Sequence, residues 1–326
     1  MKSSRNFIAH IGFGKTSTTT LQSQIFPLIA NKKKLKYISS DILIRDLKLD
    51  LKNLDFHPFE KLESNKNLKK IKNAFLSYES LLGFSWDPKY FEKTCQLNRE
   101  ILGKDAHILI IIRKPSEILN SIYLQQIQTN RIIKPNSFFY SDKIFEKEKN
   151  FFKFKLNIKY FDYDQLVKIY RSNFEKVTIV KYEEIKKFSF LNELFATETS
   201  LKNLLTQKYQ FAKKNRSYNR SYSATALYLT FKLNSFLTIF NFNLFRYERF
   251  LSKYISHKKK SMFTRIINRI LYELSWRNFI QNRFDRIYPY KKYKVNFEKI
   301  GLKEVSLLDH RYEKMKGIMT YNMSQN

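Results

Sequence analysis

Phe7-Ile8-Ala9-His10-Ile11-Gly12-Phe13-Gly14-Lys15-Thr16-Ser17-Thr18-Thr19-Thr20-Leu21-Gln22 decides how the N-terminal part of this chain folds. An apolar run of strand type enters a turn holding Gly12, Gly14 and Lys15, and Thr16, Ser17, Thr18 and Thr19 then open a helical pattern. A strand, a glycine-bearing turn and a helix start gather backbone N–H groups, one cation and several hydroxyls around a single point, which is the chemistry of an oxyanion site. The plainer alternative is a strand-to-helix turn in which the hydroxyl residues only cap the helix.

Outward from this stretch, short apolar runs alternate with longer patterns whose apolar residues recur at three and four. Strands are expected at 6–11, 35–39, 74–78, 107–112 and 176–182, and helices at 18–31, 88–102, 115–130 and 163–174. Ile108-Leu109-Ile110-Ile111-Ile112 is apolar throughout, as suits a parallel strand covered on both faces by crossover helices. The expected fold class is therefore α/β, with a P-loop-like central parallel sheet flanked by helices. From about Leu201 onward the pattern is helical, basic and aromatic with no convincing strand. Without repeats or a Pro/Gly/Ser linker, residues 1–326 are expected to form a single domain. In that reading 1–200 is a nucleotide-binding core and 201–326 a helical, basic extension packed on it.

The chain has 326 residues, of which 43% are hydrophobic, so a sizeable core is available despite a formal charge of +32. The single cysteine, Cys95, excludes a disulfide framework and any zinc site built on several cysteines. Residues 201–297 hold 21 Lys and Arg against Glu248, Glu273 and Asp285 only, an excess of 18 that implies an anionic partner. The first residues run straight into the apolar strand with no room for a signal peptide core, so a cytoplasmic location is expected. The 227–245 run is apolar but carries Lys232, Asn234, Asn241 and Asn243, which favours a buried or interfacial helix over a spanning one, the interfacial case bringing membrane association with it.

Which anion the turn serves depends on spacing. A nucleotide-triphosphate loop needs G-x-x-x-x-G-K-S/T, and here its first glycine would fall at Ala9. Gly14-Lys15-Thr16-Ser17-Thr18-Thr19 instead resembles the 5′-phosphosulfate loop, P-K-T-G-T-T, of sulfotransferases that use 3′-phosphoadenosine 5′-phosphosulfate (PAPS). Gly14 stands where proline is common and Ser17 where the pattern has glycine. A second motif of the same family, a buried strand ending in R-x-P with a serine on the next helix, is matched by Arg113, Pro115 and Ser121. Ser121 follows Pro115 by about 9 Å of helix at 1.5 Å per residue. Two weaker likenesses are the helix, strand and Tyr182-Glu183-Glu184 ending, and a basic Asn215-Arg216-Ser217 loop.

The resemblance implies roles for these residues. Gly14, Lys15, Thr16, Ser17, Thr18 and Thr19 would hold the 5′-phosphosulfate, Arg113 and Ser121 the 3′-phosphate, and Arg216 and Ser217 would close over the donor. Sulfuryl would pass from PAPS to an acceptor hydroxyl, leaving 3′-phosphoadenosine 5′-phosphate (PAP), with Lys15 stabilising the leaving group and no metal required. A general base is needed as well. Glu79, at the end of the 74–78 strand, is the leading candidate and His10 the alternative. The expected acceptor is an acidic saccharide, with an anionic membrane surface as the other anionic partner and nucleic acid disfavoured. The competing readings are a P-loop-type nucleotide kinase and a non-catalytic basic protein that binds nucleic acid or membrane.

Overall fold

The computed structural model describes residues 6–40, 42–43, 71–83, 86–128, 134–141, 155–195, 199–214 and 294–323. A six-stranded sheet carries the fold: β1 (Asn6–Gly12), β2 (Lys36–Ser39), β3 (Asn73–Ser77), β4 (His107–Ile112), β5 (Lys176–Lys181) and β6 (Ile318–Asn322), in the order β2-β3-β1-β4-β5-β6. The first five strands are parallel and β6 runs antiparallel to β5. This is the α/β architecture expected from the sequence, with five of its strands where the apolar runs lie. Because β1 is followed on one side by β3 and on the other by β4, the chain reverses its direction of growth at β1. The crevice at the carboxyl ends of these strands is the place where open α/β sheets bind ligands.

Both faces of the sheet are covered, which is why the central strands are buried almost throughout and largely apolar, with His10, Ser77, His107 and Thr178 hydrogen-bonded among themselves. On one face Ile8, Phe75, Leu109, Ile111 and Val180 pack with Leu21, Ile25, Phe26 and Ile29 and with Leu205 and Tyr209 of the helix Thr199–Lys214. On the other, the helices Phe91–Leu102 and Tyr163–Asn173 contact each other, and Asn98 donates from Nδ2 to the Leu81 carbonyl and to the Tyr170 hydroxyl. The first helical stretch is not uniform: Thr18–Thr20 leads into a π-helical turn over Leu21–Ile25 and then into Phe26–Lys32. Pro27 explains the bulge, since it has no N–H to donate and its ring crowds the carbonyl four residues back.

The strand β6 corrects the expectation that no strand follows Leu201. Its five residues, Ile-Met-Thr-Tyr-Asn, are all half-buried at a sheet edge and lack the continuous apolar run that marks the interior strands. Their place is fixed by tertiary pairing. Thr178 on β5 bonds to Thr320 on β6 at 3.0 Å and to His107 Nε2 on β4 at 2.8 Å, a polar line across three strands. Helical character after Leu201 is present at Thr199–Lys214 and Glu304–Lys314, while 215–293, with most of the basic block and the 227–245 run, lies outside the described residues.

The chain divides into two compact units. The first comprises Met1–Pro115, Leu156–Arg216 and Glu304–Asn326 and contains the whole six-stranded sheet; the second comprises Ser116–Lys155 and Ser217–Lys303. Within the second, Tyr123, Phe138, Phe139 and Phe297 form a ring cluster, and Asn120 accepts a hydrogen bond from the Val295 N–H at 2.6 Å. Among the described residues no helix is long and apolar enough to cross a membrane.

Two buried histidines make stability depend on pH. Burial lowers the pKa of His10 and of His107 from 6.5 to about 3, so both are neutral in the folded chain and would each take up a proton on unfolding in acid. Their contribution is present above pH 6.5 and is lost as pH falls, at up to about 1.4 kcal/mol per pH unit for each histidine. Glu79, whose pKa burial raises, acts in the opposite sense but is a single group. Urea denaturation is expected to show a lower unfolding free energy at pH 5 than at pH 7; an equal or higher value at pH 5 would mean that the histidines are not held neutral.

Candidate active site

The turn after β1 is built on two anchors. Phe13 is buried against the rings of Tyr160, Phe161 and Tyr163, with centroids 5.3 to 5.4 Å away, and the Thr16 hydroxyl donates back to the Phe13 carbonyl at 2.7 Å. The backbone then passes through two non-glycine residues in the left-handed region, Lys15 at φ 70° and Ser17 at φ 61°, before the helix begins at Thr18. Left-handed geometry is rare outside glycine and costs roughly 1 kcal/mol per residue, so the surroundings must hold it. The Ser17 carbonyl accepts the first helical bond, from the Leu21 N–H at 3.1 Å.

Three adjacent strand ends bring the chemistry together. Glu79 leaves β3, and its carboxylate accepts a bond from the Thr18 hydroxyl at 2.7 Å. It also lies beside Gly14, where a Cβ would stand 3.6 Å from Glu79 Oε2. Arg113 leaves β4 and donates from its guanidinium to the Lys15 carbonyl at 3.2 Å, while that guanidinium sits 4.8 Å from the centre of the Tyr182 ring. Its own carbonyl accepts the Tyr163 hydroxyl. Lys15, Thr16, Ser17, Thr18, Glu79 and Arg113 therefore meet on the first unit. Ser121 lies on the helix Pro115–Gln128, half-buried, in the second unit. Arg216 and Ser217 fall outside the described residues.

Burial dominates the electrostatics. It lowers the Lys15 pKa from 10.5 to about 8; the Glu79 charge pulls it back up and the Arg113 charge pushes it down. The same burial raises the Glu79 pKa, against the Thr18 hydrogen bond and the Lys15 charge, both of which lower it. A cation that is still largely protonated at neutral pH thus faces a carboxyl group made more basic than usual. His10, the alternative base, points elsewhere: it is fully buried in the sheet core, bonded through Nδ1 to Ser77 at 2.8 Å and packed on Phe26. Among the described residues its Nε2 has no hydrogen-bond partner.

Most hydroxyl hydrogens of the turn are already engaged: Thr16 donates to Phe13, Thr18 to Glu79, and Ser17 to the Tyr182 hydroxyl at 3.3 Å. An anion arriving here would find mainly backbone N–H groups and the Lys15 ammonium. Nothing in the local pattern marks Tyr163 and Tyr209 as the residues that hold Arg113 and Ser17. Tyrosines that bond through one hydroxyl carry no spacing signature, and the chain has 21 of them.

Because the Glu79 charge supports the protonated form of Lys15, removing it has a defined sign. In Glu79→Gln the Lys15 pKa is expected to fall below its wild-type value of about 8, by amine-resolved NMR titration. An unchanged or higher value would show that the two groups do not share a site.

Comparison with known proteins adds little. No family model matches the chain, and no curated protein matches it. Among solved structures, one from work on the PezAT chromosomal toxin-antitoxin system of Streptococcus pneumoniae aligns with 65% of this chain and 88% of that one, at 18% identity and a TM-score of 0.27, too low to carry an argument.

Proposed function

We propose that this chain is a sulfotransferase that moves a sulfuryl group from PAPS to a hydroxyl of an acidic saccharide. The observation that carries the reading is the meeting of two motifs 98 residues apart, the Arg113 guanidinium bonded to the carbonyl of Lys15. A donor with phosphates at both 3′ and 5′ positions calls for a second cationic group at that point, and a planar guanidinium suits a phosphate. The conformation of Ser17 supports the same reading: its φ of 61° lies in the region that the glycine of the P-K-T-G-T-T pattern adopts freely.

In this reading Lys15, Thr19 and the turn's N–H groups bind the 5′-phosphosulfate. The acceptor oxygen attacks sulfur in line with the bridging oxygen and the new S–O bond forms as the old one breaks. The acceptor's proton passes to Glu79, whose raised pKa fits a base, and the charge left on the 5′-phosphate of PAP is met by Lys15. The basic excess in 201–297 favours an acidic acceptor, with an anionic membrane that presents the acceptor as the other source of attraction.

One observation favours a second reading. Glu79 follows just after the strand next to β1, where a phosphoryl-transfer enzyme would place a carboxylate for a divalent ion, so a nucleotide kinase is the competitor. Incubation with sulfur-35 PAPS and with phosphorus-32 ATP, each with acidic and neutral saccharides, separates the two. Label transfer from PAPS alone is expected, and transfer from ATP alone would overturn the assignment. Lys15→Ala is expected to lower kcat by about 10² to 10³ while changing PAP affinity far less, because its main work is in the transition state. Near-normal turnover in that variant would remove Lys15 from its role.

A further inference from the structure

Ser17 holds a left-handed backbone that a non-glycine residue rarely keeps unaided, and its side chain sits between two tyrosine hydroxyls. Tyr209 donates to Ser17 Oγ at 3.2 Å, and Ser17 donates on to the Tyr182 hydroxyl at 3.3 Å. The two tyrosines come from different elements. Tyr182 follows β5 and carries Arg113 on its ring, whereas Tyr209 lies on the helix Thr199–Lys214, 5% exposed and edge-on to Phe188 at 5.9 Å. The hydroxyl that a serine adds at a glycine position is therefore bonded on both sides.

We propose that Tyr209 is a positioning residue for the oxyanion turn. Through the Ser17 hydroxyl it keeps that residue left-handed, and with it the backbone that passes from Lys15 into the helix start. In effect a hydrogen-bonded serine replaces the conformational freedom of glycine. Tyr209 touches no substrate in this scheme; it acts through Ser17. The proposal rests on reading the turn as the 5′-phosphosulfate site, and it adds a means by which the helix Thr199–Lys214 governs donor affinity.

The test is a double-mutant cycle of Tyr209→Phe and Ser17→Gly on the full chain, read by calorimetric affinity for PAP and by urea unfolding without ligand. Phenylalanine keeps the ring packing and removes only the hydroxyl. Tyr209→Phe alone is expected to weaken PAP binding about five- to tenfold, the loss of one hydrogen bond. In the Ser17→Gly background the same change is expected to cost no more than about twofold, since glycine needs no clamp. Any other bond that the Tyr209 hydroxyl makes is common to both backgrounds and cancels. An equal loss in the two backgrounds overturns the proposal, because the hydroxyl would then act elsewhere. If the wild-type chain binds no PAP, the sulfotransferase reading falls and the clamp is judged by unfolding alone: coupling between the two changes sustains it, and additivity overturns it.

Discussion

A half-buried ammonium at the end of a sheet is the constraint around which the rest of this site is arranged. Taking Lys15 out of water costs enough to bring its pKa down to about 8, and the cost is tolerated because Glu79 lies close by. That carboxyl is itself raised by burial and is held by the Thr18 hydroxyl. Arg113 adds a second positive charge that works against Lys15. Two cations drawn together at the end of the sheet are better accommodated when an anion joins them, which is the physical reason for reading the turn as a place where phosphate or sulfate binds.

The sheet order makes that arrangement available. Lys15, Glu79 and Arg113 follow β1, β3 and β4, which are neighbours in the sheet although 98 residues separate the first and last of these side chains. Parallel strands send all three chain segments out at the same edge. The polar line from His107 through Thr178 to Thr320 then ties the antiparallel edge strand to the parallel ones. The turn itself is fixed from below by Phe13 among three aromatic rings and from the side by the hydroxyls around Ser17.

Much of this could be read from the sequence, for physical reasons. A strand covered on both faces is apolar along most of its length, and β4, buried from His107 to Ile112, shows this as the unbroken run from Ile108 to Ile112. The Gly12-to-Thr20 stretch announces a turn because glycine, lysine and hydroxyl residues cluster there. The edge strand β6 was missed because a half-buried strand of mixed composition is set by its partner rather than by its own pattern. The place of His10 in the core follows from the apolar residues that flank it in β1, whereas its bond to Ser77 depends on strand pairing that no local pattern encodes. Ser17 could be recognised as a departure from glycine, but what compensates it could not, since Tyr182 and Tyr209 lie 165 and 192 residues away.

The central claim is that the site recognises a nucleotide carrying a 3′-phosphate, and calorimetric titration of the purified chain with PAP and with ADP tests it most directly. Under the proposed function Arg113, held at the turn by its bond to Lys15, would give PAP a charge-assisted contact that ADP lacks, worth about 1.5 to 3 kcal/mol. PAP is therefore expected to bind at least about tenfold more tightly than ADP. Equal affinity for the two nucleotides, or a preference for ADP, would contradict the account.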